Sequence, residues 1–301
     1  MTIVCRISLA EACNAREYTC RFCTTQCLHV YSQALIHSIE TPMSAEIRAS
    51  RHEATLILTL SNPGAKNALH PDMFAAAIET FSTAARDDSI RAVILTGADN
   101  FFCAGGNLNT LLELRAQDRA DQADAVDSLR GWIEAIRDCP KPVIAAVESA
   151  AAGAGFSLAL ACDLIVAGAN AKFAMSYVNI GLTPDGGASW FLSQALPRQL
   201  ATEIMLEGKP VPAQRLHDLG VINRIVADGA TLQTSLDWAD ELAALSGHAV
   251  ERIKSLTREA RDHSLPQHFE IEKNHFVDSL NHRDAQEGIH AFLEKRAPHY
   301  K

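Results

Sequence analysis

Short apolar runs alternate along the chain with segments whose hydrophobic residues recur at helical spacing. Four runs predict strands, at residues 54–60, 92–96, 143–147 and 163–167. Helices are predicted around residues 71–81, 108–115, 120–137 and 154–161, with Pro71 in a first turn that tolerates proline. The run at 92–96 is apolar throughout and is expected to be buried on both faces. This alternation predicts an α/β fold of βαβ units around a parallel sheet.

The last third of the chain has a different pattern. From about residue 188 onward the periodicity is mainly helical, interrupted by a short apolar piece at residues 220–226. Spaced apolar residues near the end of the chain, including Ile271, Leu280 and Ile289, predict two terminal helices.

Composition and charge narrow the classes of function. The 301 residues are 48% hydrophobic and 21% charged, which is ordinary for a globular protein. A net charge of −9 argues against nucleic acid as a partner, because phosphate binding needs clustered Lys and Arg. No apolar run reaches the roughly 18 residues of a membrane helix, and no secretory signal is evident. We therefore expect a cytoplasmic protein that does not bind a membrane.

Cysteines crowd the start of the chain. The spacing Cys20-x2-Cys23-x3-Cys27 could hold zinc or an iron–sulfur cluster, although no matching second half follows. The alternative, which we favour, is that residues 1–42 are a disordered extension without a metal site and that Met43 is the true start.

Two turns rich in glycine and alanine follow neighbouring predicted strands. Residues 101–108 form Phe-Phe-Cys-Ala-Gly-Gly-Asn-Leu, and residues 152–155 form Ala-Gly-Ala-Gly before a predicted helix. Backbone N–H groups in such turns can approach a ligand closely, and those of a first helical turn lie at the positive end of the helix dipole. Each turn alone could equally be a tight strand–helix connection. Together, they predict two N–H donors that converge as an oxyanion hole.

Eight motifs stand in the order and spacing of a known family, and from about Met43 to the end the chain resembles the crotonase (enoyl-CoA hydratase/isomerase) superfamily. The motifs are Asn62-Pro-x-x-Lys-Asn-Ala-Leu69, Phe102-Cys-Ala-Gly-Gly-Asn107, Lys141-Pro-Val-Ile-Ala-Ala-Val147, Ala152-Gly-Ala-Gly155, Ala161-Cys-Asp163, Ala171-Lys-Phe173, Ile180-Gly-Leu-x-Pro-Asp-Gly-Gly187 and Glu294-Lys-Arg296.

The resemblance implies a crotonase-like spiral of βαβ units over residues 43–240 and a C-terminal helical trimerisation region over residues 241–301. It implies a homotrimer, or a hexamer made of two trimers. The implied substrate is an acyl-CoA thioester, so coenzyme A belongs to the substrate and no separate cofactor or metal is expected.

The same resemblance assigns binding roles to individual residues. The thioester oxygen would accept hydrogen bonds from the N–H groups of Gly106 and Ala154, where relatives usually have glycine at the second position. Six further positions would line or approach the CoA site: Lys66, Ala68, Ala104, Leu108, Phe292 and Lys295.

The residues that act as acid or base decide which reaction an enzyme of this superfamily catalyses. Hydratases of the superfamily use two glutamates, and aligning the motifs puts Ser157 and Tyr177 at those places. Neither is a carboxylate with a pKa suited to general-base work, so hydration is disfavoured. Asp185 remains as a lone carboxylate, at a place where isomerases of the superfamily carry their base. Its alternative role is that of a turn residue or helix N-cap.

Several other interpretations stay open. A dehalogenase of the superfamily uses Asp at the position of Asp185 as a nucleophile, but its Trp and His partners fall on Tyr177 and Glu134 here. We favour Tyr177 as a wall of the acyl pocket and Glu134 as a solvent-facing or paired residue. The order of preference is an isomerase using Asp185, then a hydratase or lyase in which Asp185 or Tyr177 substitutes for the glutamates, then a non-catalytic acyl-CoA-binding paralogue.

Overall fold

A mostly parallel six-stranded sheet forms the centre of the fold in the computed structural model, which describes residues 45–300. The expectations for residues 1–42, including the cysteine cluster, lie outside the described residues. The strands of the described part are β1 (Glu46–His52), β2 (Thr55–Ser61), β3 (Ala92–Gly97), β4 (Val143–Val147), β5 (Ala150–Ala152), β6 (Leu164–Gly168), β7 (Lys172–Ala174), β8 (Val211–Pro212) and β9 (Arg224–Val226).

The larger sheet has the order β1-β2-β3-β4-β6-β9, and a smaller three-stranded sheet has the order β5-β7-β8. Strand β1 is antiparallel to β2, whereas β2, β3, β4, β6 and β9 run parallel to one another. The smaller sheet pairs β5 with β7 in parallel and β7 with β8 in antiparallel orientation. It begins just after β4, so it lies next to the carboxyl end of the larger sheet.

Helices connect these strands and form the end of the chain. In the described residues they are α1 (Pro71–Arg86), α2 (Leu108–Arg115), α3 (Arg119–Asp138), α4 (Ala154–Ala161), α5 (Ala188–Ala195), α6 (Arg198–Glu207), α7 (Ala213–Asp218), α8 (Thr231–Ala243), α9 (Gly247–Glu259), α10 (Leu265–Asn281) and α11 (Arg283–Glu294). The four predicted strands and the predicted helices are confirmed to within a few residues, and so is the mainly helical last third.

Both faces of the central strands are buried, as the continuous apolar run in β3 predicts. Val93 and Leu95 belong to the main core, on the side that α1 and α3 cover. Ala92 and Ile94 point to the opposite face, where α8 packs on them through residues that include Leu236. Successive side chains of a strand alternate between the two faces, so a strand covered by helices on both sides has no polar positions.

Strand β1 was not predicted, and the structure gives the reason. Every residue of β1 except Ile47 is exposed, so its sequence has no apolar run to reveal it. Its pairing with β2 from Glu46 opposite Ser61 to His52 opposite Thr55 is made by backbone groups, which leave little signal in the sequence. Strands β5, β7 and β8 are only two or three residues long and were missed for a related reason.

The C-terminal helices are joined to the sheet through a short ion pair. Lys254 Nζ of α9 lies 2.5 Å from Asp163 Oδ2 and donates to the carbonyl of Lys141 over 2.8 Å. The helices α10 and α11 follow, and several of their large apolar side chains are exposed. Within the described residues, no helix has the length and apolar content needed to cross a membrane. The boundary between residues 240 and 241 stays a prediction.

Candidate functional site

The loop after β3 is held in place by an asparagine from the loop after β2. Asn67 Nδ2 donates to the carbonyls of Ala98 over 2.9 Å and of Phe101 over 2.6 Å. Its Oδ1 accepts from the N–H of Asn62 over 3.1 Å, so one side chain joins both loops. Asn67 itself has a φ of 52°, a left-handed conformation that asparagine tolerates better than most residues. The turn that begins at Phe101 therefore has a fixed position above the sheet.

Gly105 brings the two glycine-rich turns into direct contact. Its φ is 95°, and a Cβ at this position would lie 2.7 Å from the carbonyl oxygen of Ala152 and 3.5 Å from the nitrogen of Ala154. Cys103 extends the contact, because its N–H donates to Ala150 over 3.1 Å and its carbonyl accepts from Ala152 over 2.9 Å. The predicted meeting of the two turns at one edge of the sheet is thus observed.

Several backbone N–H groups in these turns have no acceptor among the described residues, and the two predicted donors are among them. The N–H groups of Gly106 and Ala154 donate to no backbone or side-chain acceptor there. Gly106 is flanked by bonds that fix its orientation, from Leu69 N–H to Gly105 O over 2.7 Å and from Asn107 N–H to Leu69 O over 3.3 Å. Ala154 opens α4 behind Gly153, which has a φ of 50° and, lacking a side chain, cannot cap the first N–H groups of the helix. Unpaired, oriented N–H groups can hold an anionic oxygen.

The lone carboxylate, Asp185, is followed by two left-handed glycines, Gly186 and Gly187, and then by α5. Helix α5 begins at Ala188 with Gly187 as its N-cap, so the Asp185 carboxylate does not cap it. The backbone of Asp185 does form a turn there, since its carbonyl accepts from Ala188 N–H over 3.2 Å. Of the two alternatives to a functional role, the N-cap is therefore wrong, and the turn position leaves the carboxylate available for other contacts.

Tyr177 and Ser157 contact Asp185 from two sides. The Tyr177 hydroxyl donates to Asp185 Oδ1 over 2.5 Å, and the Ser157 hydroxyl donates to the Asp185 carbonyl over 3.0 Å. Ser157 is fully buried in α4, and Tyr177 lies buried in a short 3-10 helix at Ser176–Ile180. The Tyr177 ring also approaches the glycine turn, with Cζ 3.7 Å from a Cβ placed on Gly153. Asp185 and the unpaired N–H of Ala154 thus belong to one neighbourhood.

Burial raises the pKa of both Asp185 and Tyr177. Burial raises the pKa of the Asp185 carboxyl, and the hydrogen bond from Tyr177 opposes that rise. Burial also raises the pKa of the Tyr177 phenol, and the neighbouring Asp185 carboxylate raises it further. The carboxyl therefore moves toward the range in which a base can both accept and return a proton, while the phenol keeps its proton.

The predicted CoA positions near the turns lie together on adjoining loops. Lys66 is exposed, with Nζ 5.7 Å from the centre of the Phe101 ring, and its carbonyl accepts from Ala104 N–H over 3.0 Å. Ala68 is buried, and its carbonyl accepts from the Asn62 side chain over 2.7 Å. Leu108 begins α2 and is 56% exposed.

The two terminal positions are separate from this group in the single chain. Phe292, near the end of α11, is 84% exposed, and Lys295 is the exposed C-cap of the same helix. No hydrogen bond, ion pair or ring contact of the described residues joins either one to the glycine-rich turns. Their predicted approach to CoA stays a prediction.

Glu134 and Cys103 each have an ordinary structural explanation. Glu134 is exposed and pairs with Arg130 over 2.8 Å, as expected for a surface residue of α3. Cys103 is buried, its sulfur accepts from Gly105 N–H over 3.4 Å, and burial raises its pKa to about 12. A thiol that stays protonated near neutral pH is not an effective nucleophile.

Sequence reasoning missed the supporting side chains. Asn67 was noted only as part of a motif, and Ser157 only as the absence of a glutamate. The positive φ of Lys66 and Asn67 is typical of a tight loop, and the asparagine was the available signal. Nothing in the spacing of Ser157 and Asp185, 28 residues apart, indicates that they touch.

Comparison with known proteins gives a consistent result. A family model described as enoyl-CoA hydratase/isomerase matches residues 50–301. The chain is similar to a 2,3-dehydroadipyl-CoA hydratase of Escherichia coli, at 33% identity over 85% of this chain and 99% of the relative. It is also similar to a 1,2-epoxyphenylacetyl-CoA isomerase of the same organism, at 32% identity over 82% of this chain and 95% of the relative.

The fold has close counterparts among solved structures. A crystal structure of an enoyl-CoA hydratase from Polaromonas sp. JS666 superposes with a TM-score of 0.84 at 49% identity, covering 85% of this chain and 100% of that one. This likeness confirms the α/β crotonase-like fold that the motifs predicted. The fold comprises two sheets and C-terminal helices.

Proposed function

Because the chain belongs to the enoyl-CoA hydratase/isomerase family, we propose that it is an enoyl-CoA isomerase in which Asp185 is the base. At the coarser level it is an acyl-CoA enzyme of the crotonase type. The observation that carries the finer proposal is the partly buried Asp185 carboxylate beside the turn that bears the unpaired Ala154 N–H.

The two unpaired N–H groups suit the thioester oxygen. In the proposed reaction, the carbonyl oxygen becomes negatively charged when a proton leaves the acyl chain, and donors already oriented toward it stabilise that charge without reorganising. Gly106 and Ala154 supply such donors from two different turns, which the contact at Gly105 holds together.

One carboxylate is sufficient for a double-bond shift. Asp185 takes a proton from one carbon, the electron pair of that C–H bond delocalises into a dienolate, and the proton returns two carbons away. Substrate and product have the same composition, so no water or redox partner is consumed. The pKa of Asp185, raised by burial, favours both the removal and the return of the proton.

Hydration is the second candidate, favoured by the names of similar proteins. The Polaromonas protein, at 49% identity, is described as an enoyl-CoA hydratase. Hydration needs one group to activate water and one to protonate Cα, and the two glutamate positions carry Ser157 and Tyr177 here. A hydratase would therefore depend on Asp185 alone for both tasks, which makes this reaction the less well supported of the two.

Separate incubations with 3-enoyl-CoA and 2-enoyl-CoA test the proposal. We expect double-bond migration with the former, and a fall of about 10²–10⁴-fold in turnover for Asp185→Asn with thioester binding retained. Asp118→Asn is the matched control, because Asp118 caps α3 far along the chain and asparagine caps a helix nearly as well.

Other outcomes separate the alternatives. Formation of 3-hydroxyacyl-CoA from 2-enoyl-CoA without migration would establish hydration instead. Tight binding of both thioesters with no turnover would indicate a binding paralogue. Unchanged isomerase turnover in Asp185→Asn would remove the proposed base.

A further inference from the structure

Two different elements hold Asp185, one at a carboxylate oxygen and the other at the backbone carbonyl. The Tyr177 hydroxyl donates to Oδ1 over 2.5 Å from the 3-10 helix, and the Ser157 hydroxyl donates to the Asp185 carbonyl over 3.0 Å from α4. No other side chain of the described residues donates to this carboxylate. Tyr177 is thus the one side chain of the described residues that holds the carboxylate.

Space around the same loop is also restricted. Gly186 has a φ of 57°, and a Cβ there would lie 3.0 Å from Ser157 Cβ and 3.4 Å from Leu129 Cδ2. The backbone beside Asp185 therefore packs directly on α4 and α3. A carboxylate on such a loop has little freedom to rotate once Oδ1 is held.

We propose that Tyr177 is a positioning residue, which holds Asp185 through Oδ1 so that Oδ2 alone exchanges the proton with the substrate. Ser157 has the complementary role of fixing the backbone of the same aspartate. The inference rests on the proposed function of Asp185 as the base. Ser157 and Tyr177, which stand where hydratases have their glutamates, thereby each have a task in the isomerase reaction.

The proton balance of this arrangement is simple. Oδ2 accepts the proton when the C–H bond breaks, and the same oxygen gives it back when the new C–H bond forms. The phenol keeps its proton throughout, since burial and the adjacent carboxylate both raise the pKa of Tyr177. Tyr177 therefore acts through Asp185 and does not itself transfer a proton.

Removal of the Tyr177 hydroxyl should shift the pKa of Asp185 in a predictable direction. The Tyr177 hydrogen bond stabilises the ionised form of Asp185 and opposes the effect of burial. Without that bond, the pKa of Asp185 rises further. In Tyr177→Phe, we expect the acid limb of the kcat/KM profile to move to higher pH by about one unit.

An infrared titration measures this shift without relying on turnover. The difference spectrum between the wild type and Asp185→Asn isolates the carboxyl band of Asp185, and the same difference taken in the Tyr177→Phe background gives the pKa there. Tyr300→Phe is the matched control, because it removes the same hydroxyl group from a tyrosine that lies beside Gly288 of α11. We expect a rise of about one unit in Tyr177→Phe and none in Tyr300→Phe.

A fluorotyrosine at position 177 gives a second test, which keeps the hydroxyl group and should shift the pKa of Asp185 in the opposite direction. Its more acidic hydroxyl donates a stronger hydrogen bond, so the pKa of Asp185 should fall. An Asp185 pKa that is the same in all these proteins would overturn the positioning role. If the titration shifts as expected but no isomerase activity exists, the positioning holds and only the proposed reaction is wrong.

Discussion

At the scale of single residues, the geometry of the site depends on Gly105. This residue combines a φ of 95° with a backbone carbonyl 2.7 Å from where its Cβ would be. A left-handed conformation and the lack of space each favour glycine, and together they exclude any other residue without local movement. The atoms that would move belong to Ala152 and Ala154, and the latter bears one of the two proposed oxyanion donors, whose N–H group has no acceptor among the described residues.

Gly105→Ala should therefore lose activity as well as stability. We expect a loss of about 1–3 kcal/mol in the free energy of unfolding from backbone strain, and a fall in turnover of at least about tenfold from displacement of the Ala154 donor. Urea denaturation and kcat with 3-enoyl-CoA measure the two effects. Gly220→Ala is the control, because its φ is 78° but nothing lies within 4 Å of its Cβ position. Equal turnover in the two variants would contradict this account.

The contact between the two glycine-rich turns could be predicted, because such turns after parallel strands are a local signal, but the contacts of the base could not. The choice of Gly106 and Ala154 as the donors to a thioester oxygen rests on the resemblance to a family and stays a prediction. The position of Asp185 was available only through resemblance to a family. Its hydrogen bond with Tyr177 could not be predicted, since Tyr177 lies in a five-residue 3-10 helix and Asp185 in a turn, and both are too short for a hydrophobic periodicity to fix the direction of a side chain.

At the scale of elements, the buried strands could be predicted from the sequence and the exposed strand could not. Strands β3 and β4 are continuously buried and were predicted with nearly their observed bounds. The exposed β1 was missed, although it pairs over its whole length with β2. The ion pair between Lys254 and Asp163, 91 residues apart, also has no local signal, yet it joins α9 to the start of β6.

Lys254→Met should destabilise the protein by about 3 kcal/mol, because it leaves the carboxylate of Asp163 without its partner. The side chain of Lys254 is 13% exposed, so water screens the pair only in part. The double variant with Asp163→Asn should recover part of the loss, since it removes the unpaired charge. Thermal or urea unfolding measures all three proteins, and Arg130→Met, which breaks an exposed pair with Glu134, should cost less than about 1 kcal/mol.

The loss in Lys254→Met should also depend on pH. Burial already raises the pKa of Asp163, and removal of the lysine raises it further. A raised pKa means that the folded state binds the proton more tightly than the unfolded state, so stability increases as pH falls. The destabilisation relative to wild type should therefore shrink from neutral pH toward about pH 5. A loss that stays constant over this range would argue against an unpaired Asp163 carboxylate.

At the scale of the whole molecule, a single copy leaves a large apolar surface uncovered on its last two helices. The exposed residues are Leu265, Phe269, Phe276, Val277, Leu280, Ile289, Phe292 and Leu293. Exposed apolar patches of this kind are typical of protein–protein interfaces. The resemblance predicted a trimerisation region over residues 241–301, and Phe292 and Lys295 of that region were expected to approach CoA.

Assembly and CoA binding should therefore fail together when this surface is changed. We expect the wild type to have three or six times the chain mass of 32.6 kDa by light scattering. Phe276→Lys should lower that mass, because a charge in an apolar interface must be desolvated. If Phe292 and Lys295 complete the CoA site only in the assembly, KM for the thioester should rise about tenfold or more while kcat changes less. Val126→Lys, on an exposed apolar position of α3, is the control and should alter neither mass nor KM. A wild type that stays monomeric at micromolar concentration would contradict the predicted trimer, and a dissociated Phe276→Lys with unchanged KM would show that each chain binds CoA alone.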